Sequence, residues 1–99
     1  MKAIIDRLRY DTKTSRCIGT YDNLGTYGVQ STTDFYHYWA ELYVTKSGKY
    51  FIAASGNCSS PYPGNIITPL SKEEALDWSC QYLSAEITDE EFSDMVEDA

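Results

Sequence analysis

Two strand-like runs joined by a three-residue turn constrain this chain more than any other feature of its sequence. Residues 34–45 and 49–55 read as the strongest strand pair, because Lys46-Ser47-Gly48 between them suits a hairpin loop in which glycine takes the positive φ. That loop length sets the register. Val44 falls opposite Tyr50, Leu42 opposite Ile52 and Ala40 opposite Ala54 on one face, while Trp39, Tyr43 and Phe51 share the other. The aliphatic face is the expected core side, and the aromatic face is expected to be partly exposed.

Around this pair the remaining signals separate along the chain. Residues 4–10 and 16–21 alternate well enough to form a second hairpin about Asp11-Thr12-Lys13-Thr14-Ser15, whose side chains bond their own backbone in turns. Residues 22–33 and 56–64, rich in glycine, proline, serine and asparagine, are expected to be loops. Helical signals begin only after Pro69. Ser71-Lys72-Glu73-Glu74 is a capping box, followed by Leu76, Cys80 and Leu83 with Ala75 and Ser79 on one stripe, Trp78 and Tyr82 at its shoulder. Thr88-Asp89-Glu90-Glu91 repeats the capping pattern ahead of Phe92, Met95 and Val96. The expected fold class is α+β: one domain over residues 1–99, a small antiparallel sheet of about four strands in two hairpins, packed by one or two C-terminal α-helices. Residues 1–69 supply the sheet and 70–99 the acidic helical part.

Charge follows the same division. Residues 70–99 hold ten acids and one base, whereas residues 1–69 hold seven bases and five acids, giving the net −7 of the whole chain. Such an acidic block repels free nucleic acid and anionic membrane and attracts basic protein surfaces, including those that hold nucleic acid. Helix N-terminal dipoles account for Glu73, Glu74, Asp89, Glu90 and Glu91 if both capping boxes form. Asp77, Glu86, Asp94, Glu97 and Asp98 gain nothing from such dipoles.

Motifs for chemistry are sparse. His37 is the only histidine, with Phe35, Trp39 and Glu41 as same-face strand neighbours, and a packed or edge histidine accounts for it better than a general base. Cys17, Cys58 and Cys80 are odd in number and widely spaced, which argues against disulfides or a zinc site and for small, buried, reduced thiols. No phosphate-binding glycine loop, nucleophile elbow or calcium loop is present, so no cofactor, metal or enzymatic activity is expected. Arg7, Arg9, Lys13 and Arg16 beside Tyr10 and Tyr21 are the mixture used by single-strand binders, outweighed here by the acidic total. No apolar run approaches the roughly 20 residues of a membrane span. Asp6 interrupts the apolar start that a signal peptide needs, so cytoplasmic residence is expected.

Three segments carry a resemblance. Arg9-Tyr10-Asp11-Thr12-Lys13-Thr14 leading to Ile18-Gly19-Thr20-Tyr21-Asp22-Asn23, then residues 41–51, then Ile67-Thr68-Pro69-Leu70-Ser71-Lys72-Glu73-Glu74-Ala75-Leu76-Asp77-Trp78, resemble short proteins of bacteria and their mobile elements. The resemblance implies a compact α+β unit, an antiparallel sheet backed by C-terminal helix, and this size and acidity are similar to those of anti-CRISPR inhibitors. It carries over no catalytic residue.

The resulting expectation is a non-enzymatic inhibitor that blocks a CRISPR effector or another nucleic-acid-binding defence protein, without binding nucleic acid or membrane itself. Asp77, Glu86, Asp89, Glu90, Asp94, Glu97 and Asp98 are the expected contact surface, with Tyr36, Tyr38 or Tyr43 as aromatic anchors. The competing expectation is a small accessory domain of a mobile element, monomeric or a homodimer through the aromatic sheet face.

Overall fold

In a computed structural model describing residues 1–26 and 28–99, the chain forms strands β1 (Lys2–Ile5), β2 (Leu8–Asp11), β3 (Arg16–Asp22), β4 (Tyr38–Val44), β5 (Tyr50–Gly56) and β6 (Gly64–Leu70). Helices α1 (Lys72–Tyr82) and α2 (Ala85–Phe92) follow, then a 3-10 turn over Ser93–Met95. The fold is α+β. The β4–β5 hairpin has the register its loop length dictates: Val44 pairs with Tyr50, Leu42 with Ile52 and Ala40 with Ala54. Gly48 takes φ +89° at the turn, where an L side chain would be strained.

Around this hairpin, β3, β4, β5 and β6 form an antiparallel meander in that spatial order. Side-chain alternation then gives the sheet two faces. Tyr38, Ala40, Leu42 and Val44 of β4 join Tyr50, Ile52 and Ala54 of β5 beneath Ala75 of α1 and Phe92 of α2. The opposite face carries Tyr43, Phe51, Ala53 and Ile67, and it is buried too, because β1 and β2 lay Ala3, Ile5 and Tyr10 over it. Tyr10 meets Phe51 edge-on at 5.4 Å between ring centroids, and Tyr43 stacks on Phe51 at 5.2 Å. The molecule is therefore three layers: hairpin, sheet, helix pair.

Several expectations need correction. Residues 4–10 are not one strand paired with residues 16–21. Asp6 (φ 52°) and Arg7 (φ 67°) make a two-residue left-handed turn, so β1 and β2 pair only with each other. The Asp11–Ser15 link does turn as expected, with Asp11 Oδ1 accepting the Lys13 amide at 2.9 Å, but it joins two layers. Residues 34–37 turn before β4 begins, the His37 amide bonding the Asp34 carbonyl at 3.1 Å. β6 has no counterpart among the expected elements. The aromatic sheet face is covered by the hairpin, which closes off the expected homodimer contact.

The helices are held by one cap that was expected and one that was not. Ser71 and Glu74 form the reciprocal capping box on α1, at 3.1 and 2.9 Å. α2 is capped instead by Ser84, whose hydroxyl accepts the Ile87 amide at 3.2 Å. Thr88 lies inside the helix and is buried, its hydroxyl 2.7 Å from that of Ser79 and 3.0 Å from the Ser84 carbonyl. Phe92 is fully buried, but Val96 is 46% exposed because the chain leaves the helix after Phe92. Gly19 on β3 admits the close approach of α1's end, since a Cβ there would come within 2.8 Å of Leu83. Cys17, Cys58 and Cys80 are all exposed, contrary to expectation, Cys80 facing away from the Ala75–Ser79 side of α1. Phe92→Ala should lower the unfolding free energy by about 3–5 kcal/mol, measured by urea denaturation, through loss of the anchor between α2 and Tyr50, whose rings lie 5.5 Å apart.

Candidate functional site

The burial of Ala75 and Ser79 on α1 fixes where its acids go. At 100° per residue, Glu73 and Asp77 lie on the far side of that helix. Thr88 and Phe92 are the buried side of α2, which places Glu86 and Glu90 opposite and Asp89 on the flank. All five are exposed. They give the helix layer an acidic outer surface, and Asp94, Glu97 and Asp98 on the segment after α2 are exposed as well. The basic residues Lys2, Arg7, Arg9 and Lys13 are exposed on or beside the hairpin, across the sheet. The two charges occupy opposite sides of one molecule.

Two ion pairs tie acids of this layer. Arg16 reaches from β3 to Glu91 at 2.7 Å, and Lys72 on α1 holds Asp94 at 2.8 Å. The hydrogen bond from Lys72 holds the Asp94 carboxyl below the usual range, and the same bond raises the lysine. Among the described residues, Asp77, Glu86, Asp89 and Glu90 make no ion pair. The displaced start of α2 also reverses their relation to its dipole. Glu86 stands in the first turn, where negative charge is favoured, whereas Asp89 and Glu90 stand toward the C-terminal end, where it is not. Asp89 also borders a cleft of about 330 Å³ with Cys80, Leu83, Ala85, Thr88 and Val96.

The expected aromatic anchors divide. Tyr38 is 6% exposed and sits in a cluster with Tyr21 at 6.0 Å and Tyr62 at 5.4 Å, and burial pushes its hydroxyl well above the ordinary range. Tyr43 is 9% exposed beneath the hairpin. Neither can serve as an anchor on the surface. Tyr36 is 62% exposed beside Phe35 at 67%, on a turn fixed from both sides. Asn23 accepts the Tyr38 amide and donates to the Tyr36 carbonyl, both at 2.9 Å, and Asn57 donates to the Asp34 carbonyl at 2.7 Å. The sequence pattern places Phe35 and Tyr36 in a strand, whereas in the structure they lie on a turn. Only the turn chemistry of Asp34, whose Oδ1 accepts the Tyr36 amide at 2.8 Å, marked them otherwise.

His37, Glu41 and Cys17 are engaged within the fold. His37 is buried and its Nε2 lies 2.9 Å from Oδ1 of Asp22, not near Glu41, and that oxygen also accepts the Leu24 amide at 2.8 Å. The pair pins the loop to the end of β3. Glu41 gathers Thr20 and Tyr43 at 3.4 Å and Cys17 at 4.0 Å. Desolvation, then the Glu41 charge, pushes the Cys17 thiol up, which disfavours the nucleophilic thiolate. Arg16 turns to the helix side, so the bases of residues 7–16 do not converge on one strip. Among the described residues no group of three His, Cys, Asp or Glu side chains is arranged to hold a metal ion, and no helix is long and apolar enough to cross a membrane.

With this geometry in place, comparison with protein-family models, curated proteins and solved structures finds no match to the chain.

Burial and then Glu41 push Tyr43 up to about 12, and Tyr50 and Tyr62 are raised by burial as well. A tyrosine raised in the folded state contributes stability that is full below its unfolded value of about 10 and lost as pH climbs toward the folded one. Urea midpoints should therefore hold up to about pH 9 and fall between about pH 10 and 12. Tyr43→Phe should make that fall shallower.

Proposed function

We propose that this chain is a non-enzymatic protein-binding inhibitor of phage or mobile-element type, acting in the bacterial cytoplasm. Its acidic helix layer occupies the basic groove with which a CRISPR effector, or a similar defence protein, holds nucleic acid. The carrying observation is the uncompensated charge of Asp77, Asp89 and Glu90. They are exposed, make no ion pair among the described residues, and two of them oppose the dipole of their own helix. Folding gains nothing from these carboxylates, whereas a row of lysines and arginines gains what a phosphate backbone would give it. The hairpin's bases, turned to the opposite side, leave the acidic face free to approach such a partner.

Because screening reaches about 8 Å at physiological salt, the contact should form fast at low salt and weaken as salt rises. The test uses a panel of purified, guide-loaded effectors and a labelled target DNA. The protein should displace DNA from at least one of them. The triple variant Asp77→Lys, Asp89→Lys and Glu90→Lys should lose that competition by about 100-fold or more, while its unfolding free energy stays equal to or above that of the parent. Undiminished competition by this variant would overturn the proposal, as would failure to displace DNA from every effector of the panel.

A further inference from the structure

Hydrogen-bond alternation along the sheet decides which backbone groups remain free at its last strand. The Thr45 amide bonds the Lys49 carbonyl at 2.8 Å, closing the β4–β5 loop with a hydrogen-bonded pair. Counting from there, Tyr43 and Phe51 form the next such pair, so the backbone groups of Phe51, Ala53 and Ser55 point to β4. Those of Tyr50, Ile52, Ala54 and Gly56 point to β6 and engage Leu70, Thr68, Ile66 and Gly64. Asn65, Ile67 and Pro69 therefore direct their backbone groups outward. Pro69, which has no N–H to contribute, falls at one of these outward positions, as it must.

The two edges of the sheet are treated differently. β3 carries an irregularity between Cys17 and Gly19 and is bounded by the charged side chains of Arg16 and Asp22, devices that discourage further pairing. β6 reads Gly-Asn-Ile-Ile-Thr-Pro-Leu, without a charge, in unbroken register with β5, and it is guarded only by Pro69. Among the described residues no other segment bonds the backbone of Asn65 or Ile67. Ile66 is 39% exposed on the helix side of this strand.

We infer that β6 is a self-pairing edge, joining two copies of this chain antiparallel into a continuous eight-stranded sheet. With a two-fold axis at Ile67, the two Ile67 residues exchange both of their backbone bonds. The Asn65 amide of each copy donates to the Pro69 carbonyl of the other. The missing proline N–H costs one bond at each end and stops the ladder there. Ile66 then lies beside Thr68 of the second copy and loses its exposure. The axis is perpendicular to the sheet, so both helix pairs remain on one side and both hairpins on the other. A second copy suits this edge because it brings an equally uncharged strand of equal length, and in this register each Pro69 falls opposite Asn65 at the end of the ladder rather than inside it.

Each copy carries −7, so repulsion opposes the dimer and salt should strengthen it. This separates it from capture of a basic partner, which salt weakens, and either proposal can fail without the other. Sedimentation velocity combined with amide hydrogen exchange tests it on the intact chain, from micromolar to millimolar concentration. The expected result is a monomer–dimer equilibrium shifted to dimer by salt, with the Asn65 and Ile67 amides slowing by about tenfold or more as dimer accumulates. Asn65→Pro removes an amide that bonds nothing within the protomer, and Ile66→Lys charges the edge. Both variants should sediment as monomers. A wild-type monomer throughout the range overturns the inference, as does a dimer whose Asn65 and Ile67 amides exchange freely or one that persists in folded Ile66→Lys.

Discussion

The pairing of Val44 with Tyr50 across the Lys46–Gly48 turn is the constraint on which the rest of the molecule depends. Because side chains alternate strictly along a strand, that one pair decides every residue's side over the two central strands. Even-numbered positions from Tyr38 to Ala54 meet the helices, and odd-numbered positions from Tyr43 to Ala53 meet the N-terminal hairpin. A slip of one residue would put Phe51 under the helices and Ile52 under the hairpin, and neither Phe92 nor Tyr10 would find its partner ring.

Burial of both sheet faces explains how a 99-residue chain obtains enough apolar contact, since a sheet open on one side would leave Tyr43, Phe51, Ala53 and Ile67 in water. It also explains the separation of charge. The covering hairpin is the basic end of the sequence and the covering helices are the acidic end. Placing them on opposite faces keeps like charges together, and among the described residues Arg16, at the sheet's edge strand, bridges from the first half of the chain to Glu91. The result is a molecule whose two sides attract different partners.

Much of this was legible in the sequence, and the exceptions have identifiable causes. The β4–β5 register and the α1 cap were legible because a glycine at positive φ and a Ser-x-x-Glu box act locally. The β1–β2 turn was not, because Asp6 and Arg7 adopt left-handed conformations without the glycine that normally announces them. β6 was not legible because Pro69 argues against a strand, and only its outward position on an edge makes it acceptable. Thr88-Asp89-Glu90-Glu91 has the same form as the true box at Ser71, and tertiary packing chose between the two starts for α2 by burying Thr88 against Ser79. Of the candidate site, the outward acids were legible from helical periodicity, while the burial of Tyr38 and Tyr43 depended on layers that sequence spacing does not reveal.

The two-sided burial of the sheet is the central claim, and a nuclear Overhauser spectrum of the aromatic region tests it most directly. Cross-peaks from Tyr10 to Phe51 and from Tyr50 to Phe92, present together in one sample, are the predicted result, since both ring pairs lie within 5.5 Å. Loss of the Tyr10–Phe51 contact with the Tyr50–Phe92 contact intact would leave the aromatic face open, and would contradict both the three-layer fold and the separation of charge that rests on it.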